Sequence, residues 1–547
     1  MPKSTDSNAS LSQRYTPVLL LLLGYACYLV RFGYGYGASD QDEFIPFVLT
    51  LLDNSLFQND WFVQTQIEAF SVRTIFVWLV RTFTFVLPLK WAVFLIYFLT
   101  WSGVVVGLFI LAKQLTQSRL VAISSAGVIS LLTPFWTLGG NDLLHSMLVP
   151  SMIAWALAIW GMVFFVQSRW SLAAALAGIA TLFQALVGLQ TVLLYGCLAI
   201  WSMVAKDNEE DSISSLLKAG GIYIVCAGAA LIPLFYQQLT AAPEPLASAF
   251  SETPSLCYIM SNFRNPHHYL FDSFNKLRLV QFFFLLLVGY VSLLVKEQKD
   301  PAFDTSLFKR TLAIIFTICL IAYLGTEVSP ILLIAKLQLF KMTIWIKVLM
   351  AIGCCGLLVE LVPAAFRSKL EYVLFERPWI PLGLVALGLA SIFMIQPDRF
   401  SQKVYPYSAG HSVEVSLAQW AETNTKKDEV FAIPPSWSAF RSHAKRAIVI
   451  NHKAFPYRDE DIPVWFSRLT DMAPIKQPER SDLNLLSDLD EKYNSLSPND
   501  LDALSFEYSF DYIIRNTPLP ASTPFSVVHS EGGWFVYKVS PQRLAAR

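Results

Sequence analysis

An acidic run, Asp40-Gln41-Asp42-Glu43, follows the first long apolar stretch of the chain. Ionised carboxylates at such a position have two chemical uses. One can accept a proton from a hydroxyl group as that group attacks a sugar anomeric carbon. Two or three together can hold a divalent cation against a diphosphate leaving group. Asp40, Asp42 and Glu43 are therefore candidate catalytic residues, although plain solvation of a polar loop would use the same residue types.

A second polar group, Asn141, Asp142 and His145, follows two glycines. Asp142 and His145 are three residues apart, so on a helix they would share one face and could meet a phosphate group. Asp142 could also join Asp40 as a metal ligand. Alternatively, Asn141 or Asp142 is the N-cap of a helix that begins here. The two interpretations are compatible, and both stay open.

A third group, Arg264, His267 and His268, lies in a stretch rich in Pro, Ser and His. An arginine with two histidines could bind phosphate or a metal ion. Adjacent residues do not face the same way on a helix, which makes the metal signal weak. An ordered polar loop explains the same residues.

Three lysines, Lys336, Lys341 and Lys347, adjoin an otherwise apolar run. Cations at membrane depth are costly and tend to mark the path of a ligand. Lysine side chains can also reach from an apolar stem to the membrane interface. Lys336 and Lys341 are candidate ligand-binding residues on the first interpretation only.

Basic and polar residues also follow predicted strand ends late in the chain: Arg441, Arg446, Asn451 and Lys453. Domains that alternate helices and strands place their ligands at such strand ends. Sugar or phosphate binding would fit these residues, and structural turns would fit them equally well.

The composition identifies the scaffold that must position these groups. Of the 547 residues, 54% are hydrophobic and 15% charged, and apolar runs near 20 residues recur. Such runs match the length needed to cross a hydrocarbon core of about 30 Å, so a polytopic α-helical membrane protein is expected. The formal net charge is zero, which suggests no nucleic-acid partner. The sequence contains no Walker A loop that would indicate ATP-driven pumping.

Hydropathy predicts about eleven spans, and the lysines and arginines of the short loops place the N-terminal tail, 1–15, in the cytoplasm. An acidic loop, 35–90, and a second loop, 238–276, then lie outside. Within the first loop, Val72–Leu89 is predicted to lie flat in the interface with its arginines toward the lipid headgroups. The predicted spans are 16–34, 91–112, 120–135, 146–166, 171–187, 189–205, 219–237, 277–295, 311–326, 343–362 and 379–396.

After this membrane domain, 16–397, the composition changes to that of a soluble domain, 398–547, the late domain. Helical and strand patterns interleave there, which predicts a small α/β domain on the outer side. Helices are expected at 416–423 and 459–471. Strands are expected at 429–433, 447–451, 512–515 and 534–539.

This organisation resembles the GT-C superfamily of membrane glycosyltransferases, which includes protein O-mannosyltransferases, aminoarabinose transferases and oligosaccharyltransferases. In that family an acidic motif follows the first span, as Asp40–Glu43 does here, and a second acidic position often stands where Asn141-Asp142 stands. The late part of the chain also looks like the tails of uncharacterised bacterial membrane proteins, through Pro434-Pro435, Phe440-Arg441 and Lys453-Ala454-Phe455-Pro456.

The resemblance implies a glycosyltransferase of the bacterial inner membrane, with the late domain in the periplasm. It would move a sugar from a polyprenyl-phosphate donor to a glycan, lipid or protein acceptor, with or without a divalent cation. Asp40 would be the base. Lys336, Lys341, His145 and the His267-His268 pair would meet the donor phosphate. The alternative is a transporter, flippase-like protein or scaffold for lipid-linked saccharides, which needs the cavity and cations but no base.

Overall fold

The computed structural model of the chain describes residues 6–206, 212–240, 254–300, 303–377, 379–395, 412–475 and 484–540. The predicted boundary between the two domains, 397/398, lies outside these ranges, as does 241–253 of the second outer loop. The first part of the described chain is almost wholly helical, and the last part carries a small sheet.

Long apolar helices make up the membrane part and bury one continuous hydrophobic core. Short 3₁₀ or π turns interrupt or extend them at Ser39–Glu43, Val128–Leu132, Ile259–Arg264, Phe271–Ser273, Leu324–Val328 and Leu339–Met342. The α-helices are α1 (Asp6–Phe32), α2 (Ile45–Leu52), α3 (Trp61–Glu68), α4 (Thr74–Phe83), α5 (Leu89–Thr116), α6 (Arg119–Gly127), α7 (Pro150–Val166), α8 (Trp170–Phe183), α9 (Ala185–Ala205), α10 (Ile213–Thr240), α11 (Leu256–Tyr258), α12 (Pro266–Tyr269), α13 (Lys276–Lys299), α14 (Ser306–Tyr323), α15 (Leu332–Leu337), α16 (Thr343–Leu361), α17 (Ala364–Phe375) and α18 (Trp379–Ile395).

Within the described ranges, six segments are long and apolar enough to cross a membrane. They are Leu89–Thr116, Ala185–Ala205, Ile213–Thr240, Lys276–Lys299, Ser306–Val328 and Leu332–Leu361. The other five predicted spans coincide with shorter apolar helices, among them Pro17–Phe32 and Pro150–Val166. The chain is therefore a membrane protein, while the count of eleven crossings stays a prediction.

The acidic loop, 35–90, contains three short helices, α2 to α4. Helix α4 has ten residues and rises about 15 Å, half of what a crossing needs. Its Trp78 side chain is exposed, as expected for a helix at the interface. The prediction for its arginines is wrong in part. Arg73 turns into the protein, where its guanidinium donates to the Glu43 carboxylate and the Tyr457 hydroxyl.

The late domain is built on a five-stranded mixed sheet of strand order β2-β1-β3-β5-β4. The inner strands β1 and β3 pair in parallel, and β3, β5 and β4 pair antiparallel. Its strands are β1 (Val430–Ala432), β2 (Ala447–Ile448), β3 (Tyr512–Arg515), β4 (Phe525–Glu531) and β5 (Trp534–Val539), and its helices are α19 (Val413–Asn424), α20 (Phe440–Ala444), α21 (Asp461–Met472), α22 (Leu485–Ser495) and α23 (Pro498–Glu507).

Alternation along β1 gives the sheet two apolar faces. Val430 and Ala432 pack on one face, and Phe431 packs on the other. The first of these clusters also includes Leu256, Ile259 and Phe263 of the second loop, 238–276. Leu56, Phe57, Phe62 and Val63 of the first loop pack on Ala454. Both loops therefore dock on the late domain through hydrophobic contacts.

Candidate functional site

A cavity of about 750 Å³ lies where the bundle, the acidic loop, the second loop and the late domain meet. Seven stretches of the membrane part contribute to its lining, and the late domain contributes Lys453, residues 455–460 and Ile462. Its polar lining residues are Asp40, Glu43, Arg73, Asn141, Asp142, His145, Ser151, Gln184, Gln237, Gln238, Thr240, Arg264, Asn265, His267, His268, Lys336, Gln338, Lys341, Lys453, Tyr457, Arg458, Asp459 and Glu460.

The acidic run forms one 3₁₀ turn, Ser39–Glu43. With three residues per turn, side chains three apart lie on one face, so Asp40 and Glu43 both point into the cavity. Gln41 and Asp42 point into the protein and are fully buried. Gln41 steadies the turn by accepting the Gly37 N–H at 2.6 Å and donating to the Leu148 carbonyl at 3.2 Å.

Asp40 forms an ion pair with Lys453 of the late domain. Both side chains stay partly accessible, 39% for Asp40 and 28% for Lys453, because they face the cavity. Burial by itself would raise the pKa of Asp40, but Lys453, with smaller help from His145 and Arg73, outweighs burial and lowers it below its usual range. Asp40 is therefore ionised at neutral pH.

Glu43 forms a second contact between the loop and the late domain. Its carboxylate pairs with Arg73 and accepts a hydrogen bond from the Tyr457 hydroxyl at 2.7 Å. The guanidinium of Arg73 also lies over the Tyr457 ring, 5.2 Å from its centre. These three side chains hold one another on a single wall of the cavity.

Asp42 does not line the cavity. Its Oδ2 accepts from Arg441 Nη1 at 2.9 Å and from Asn451 Nδ2 at 2.8 Å, and Arg441 Nε donates to Asp60 Oδ2 at 2.8 Å. Arg441, Asp42 and Asp60 are completely buried. Burial raises the pKa of Asp42 to about 6, against the opposing effect of Arg441. The position of Asp42 fits a structural role in docking the late domain.

Asp142 and His145 both line the cavity, but they do not share a helix face. The helical expectation for this stretch is wrong, because Gly139 and Gly140 adopt positive φ angles and α7 begins only at Pro150. Asp142 is no N-cap either.

Asp142 is instead the centre of a buried hydrogen-bond set. Its carboxylate accepts from Lys347 Nζ at 2.5 Å and from the N–H groups of Phe135 and Leu143. Burial lowers the pKa of His145, against the effect of Asp40 and Asp142, so this histidine serves as a neutral hydrogen-bonding group.

Arg264, His267 and His268 reach the cavity together. Arg264 Nη2 donates to the Lys453 carbonyl at 2.7 Å, and its Nε has no hydrogen-bond partner among the described residues. The two histidine rings lie 4.1 Å apart. Burial, reinforced by Arg264 and Lys341, lowers the pKa of His267 to about 4. Burial also lowers the pKa of His268 well below its usual value, so both histidines are neutral at pH 7.

The three lysines have three different environments. Lys347 is completely buried against Asp142. Lys336 pairs with Asp459 of the late domain at 2.6 Å. Lys341 lines the cavity and forms no ion pair within the described part of the chain. Together with Arg264, it gives the cavity cations that no carboxylate contacts.

The donor set does not fit a metal ion. Asp40 and Asp142, the two predicted ligands, are each paired with a lysine. Across the described ranges, no three His, Cys, Asp or Glu side chains come together as metal ligands would.

Sequence reasoning missed Arg73, Tyr457 and Asp459 as cavity residues. No local pattern carries this information, since Tyr457 and Glu43 are 414 residues apart. One available signal was the run of polar and aromatic residues from Asn451 to Asp461, directly after a buried strand.

Residues 414–472 match a family model described as a domain of unknown function, DUF6798. This stretch includes Arg441 and Asn451, which dock the late domain, and Lys453 and Tyr457, which line the cavity. No curated protein matches the chain.

Two similar solved structures are of the oligosaccharyltransferase of Archaeoglobus fulgidus. Its crystal structure in the apo form shares 10% identity with a TM-score of 0.48, over 91% of this chain and 69% of that one. The archaeal enzyme AglB in complex with an inhibitory peptide and a dolichol-phosphate shares 10% identity with a TM-score of 0.49, over 96% of this chain and 74% of that one.

Proposed function

We propose that this chain is an inverting membrane glycosyltransferase of the GT-C type, which moves a sugar from a polyprenyl-phosphate donor to an acceptor hydroxyl at the outer membrane face. The observation that carries the proposal is the composition of one cavity. Asp40 and Glu43 enter it from a single turn, and it also holds Arg264 and Lys341, cations that no carboxylate contacts. A base and an anion-binding group are the two requirements of this reaction.

The proposed reaction is a single displacement. The acceptor oxygen attacks the anomeric carbon, the bond from that carbon to the phosphate oxygen breaks, and the hydroxyl proton passes to Asp40. The leaving group is polyprenyl phosphate, whose charge Arg264 and Lys341 stabilise. His145, His267 and His268 are neutral and donate hydrogen bonds rather than charge.

The lipid part of the donor would enter from the side, between apolar helices. Gln184, Leu186 and Val187, at the junction of α8 and α9, line the cavity, as does Leu234 of α10. A cavity lined by both apolar and charged residues suits a ligand with a prenyl tail and a phosphate head.

The test is Asp40→Asn, assayed with a labelled prenyl-phosphate sugar and an added acceptor. We expect transfer to fall by about 10²-fold or more while expression and the thermal unfolding midpoint stay unchanged. Asp53→Asn is the matched control, since Asp53 lies in the same loop, is 40% exposed and pairs with Lys427 outside the cavity. Full activity of Asp40→Asn would remove Asp40 from the mechanism.

One observation favours a non-catalytic alternative, a transporter or scaffold for lipid-linked saccharides. Four carboxylates of the cavity, Asp40, Glu43, Asp142 and Asp459, each have a cationic partner. A cavity that binds anions without transferring a group needs no free base. Donor binding without product, across a panel of prenyl-phosphate sugars and acceptors, would favour this function over the transferase.

A further inference from the structure

One wall of the cavity belongs to the late domain. Directly after β2, residues 451–458 turn toward the membrane part, and Lys453, Phe455, Tyr457 and Arg458 line the cavity. Within this wall, Lys453 is the residue whose side chain contacts Asp40 of the acidic turn.

The backbone of this wall is fixed from both sides. Asn451 Nδ2 donates to Asp42 Oδ2 and to the Trp437 carbonyl, each at 2.8 Å. Asn451 Oδ1 accepts the Ala454 N–H at 3.0 Å, and Arg264 donates to the Lys453 carbonyl. The backbone at Lys453 is therefore held in place, while its side chain keeps open space in front of it.

The Lys453–Asp40 pair differs from the buried pair behind it. Arg441 and Asp42 are both inaccessible, whereas Lys453 and Asp40 are 28% and 39% accessible. An accessible ion pair contributes little free energy and can exchange partners at low cost, unlike a buried one.

Two further cations of the cavity, Arg264 and Lys341, form no ion pair among the described residues. Arg264 is 8% exposed, and its Nε has no partner among the described residues. An anion that enters beside Lys453 therefore also meets two cationic side chains that have no carboxylate partner among the described residues.

We propose that Lys453 is an anion-binding residue that exchanges Asp40 for the phosphate of an incoming ligand, so that ligand binding releases the Asp40 carboxylate. The choice of a phosphate ligand rests on the proposed function. The exchange couples the two requirements of that reaction, because binding of the donor phosphate releases the base. Loss of the lysine contact also removes the largest influence that lowers the pKa of Asp40, so the released carboxylate is the stronger base.

The test is equilibrium binding of farnesyl phosphate and of inorganic phosphate to the full-length protein in detergent, without an acceptor. Lys453→Met is expected to weaken binding about ten-fold, the effect of losing one charge-assisted hydrogen bond. Asp40→Asn is expected to tighten binding by roughly several-fold, because it removes the carboxylate that competes for Lys453. Lys453→Arg should keep most of the affinity.

The opposite signs of the two variants are the decisive result. If Asp40→Asn weakens binding, or Lys453→Met leaves it unchanged, the exchange does not occur. The expected pattern with farnesyl phosphate alone supports a lipid-linked anion, and the pattern with both probes supports recognition of the phosphate group itself. Lys427→Met, which breaks an exposed pair outside the cavity, is the control and should not change binding.

Unfolding midpoints of all variants show whether the protein is still folded. Because turnover is not measured, this result is independent of transferase activity. An inactive protein that shows the opposite signs would disprove the proposed function and leave the exchange standing.

Discussion

Arg441 of the late domain and Asp42 of the acidic loop form an ion pair with no solvent access, 2.9 Å between Nη1 and Oδ2. Asp60 shares the same guanidinium at 2.8 Å. Two buried carboxylates thus share one cation. Substitutions of the cation and of a carboxylate should therefore differ in their effect on stability.

Arg441→Met should be far more harmful than Asp42→Asn. The first leaves two buried carboxylates without a cationic partner, a cost of about 3–5 kcal/mol. The second leaves Arg441 paired with Asp60 and keeps an amide where the acid stood. Thermal unfolding midpoints of the two variants test this, and equal losses would contradict the shared-cation arrangement.

Titration of Asp42 should contribute to the pH dependence of the protein's stability. The pKa of Asp42 is about 6 in the folded protein, above the usual 3.8, so the folded state binds the proton of this carboxyl group more tightly than the unfolded state does. The contribution of Asp42 to stability is then largest below the unfolded pKa and is lost as pH rises through the folded pKa. Relative to Asp42→Asn, the wild-type unfolding midpoint should decrease mostly between about pH 4 and about pH 6 and change little at higher pH. A constant difference between the two proteins would show that the pKa is not raised.

The buried pair of Lys347 and Asp142 should behave as a unit. Lys347→Met leaves Asp142 charged and 4% exposed, with only two backbone N–H donors, at a cost of about 3 kcal/mol or more. Adding Asp142→Asn should recover much of that loss, because it removes the unpaired charge. Lys296→Met is the comparison, since its pair with Glu360 is partly exposed and should cost about 1 kcal/mol or less. No recovery in the double variant would argue against direct coupling.

The membrane orientation can be measured directly. Eleven crossings with basic turns inside place the acidic loop and the late domain on the outer side. A reporter that is active only in the periplasm, fused at Arg547, should therefore be active. A cytoplasmic reporter at the same place should be silent, and the reverse result would move the late domain inside and require another crossing.

The sequence predicted the elements better than their contacts. Apolar periodicity located the helices of the bundle and strands β1, β2, β3 and β5, because each buries a continuous apolar face. It missed β4, an edge strand whose residues after Phe525 are mostly exposed. It also missed α20, α22 and α23, three short helices of the late domain.

For the candidate site, the residue types were predictable and their roles were not. The acidic run was recognisable as chemistry, but a 3₁₀ turn decides that Asp40 and Glu43 face the cavity while Asp42 faces Arg441. That division depends on partners about 400 residues away, as the 399-residue separation of Asp42 and Arg441 shows. A linear pattern contains no information about such pairs.

The same 399-residue separation has a consequence for how the protein is made. The acidic turn is synthesised almost at the start, yet Lys453, Tyr457 and Arg441 emerge only after the bundle helices. Strand β3, which pairs with β1, comes later again. Contacts this distant along the chain form late in folding. A nascent chain on the ribosome therefore carries the acidic turn before Lys453, Tyr457 and Arg441 have been synthesised. The cavity can form only after the late domain is complete.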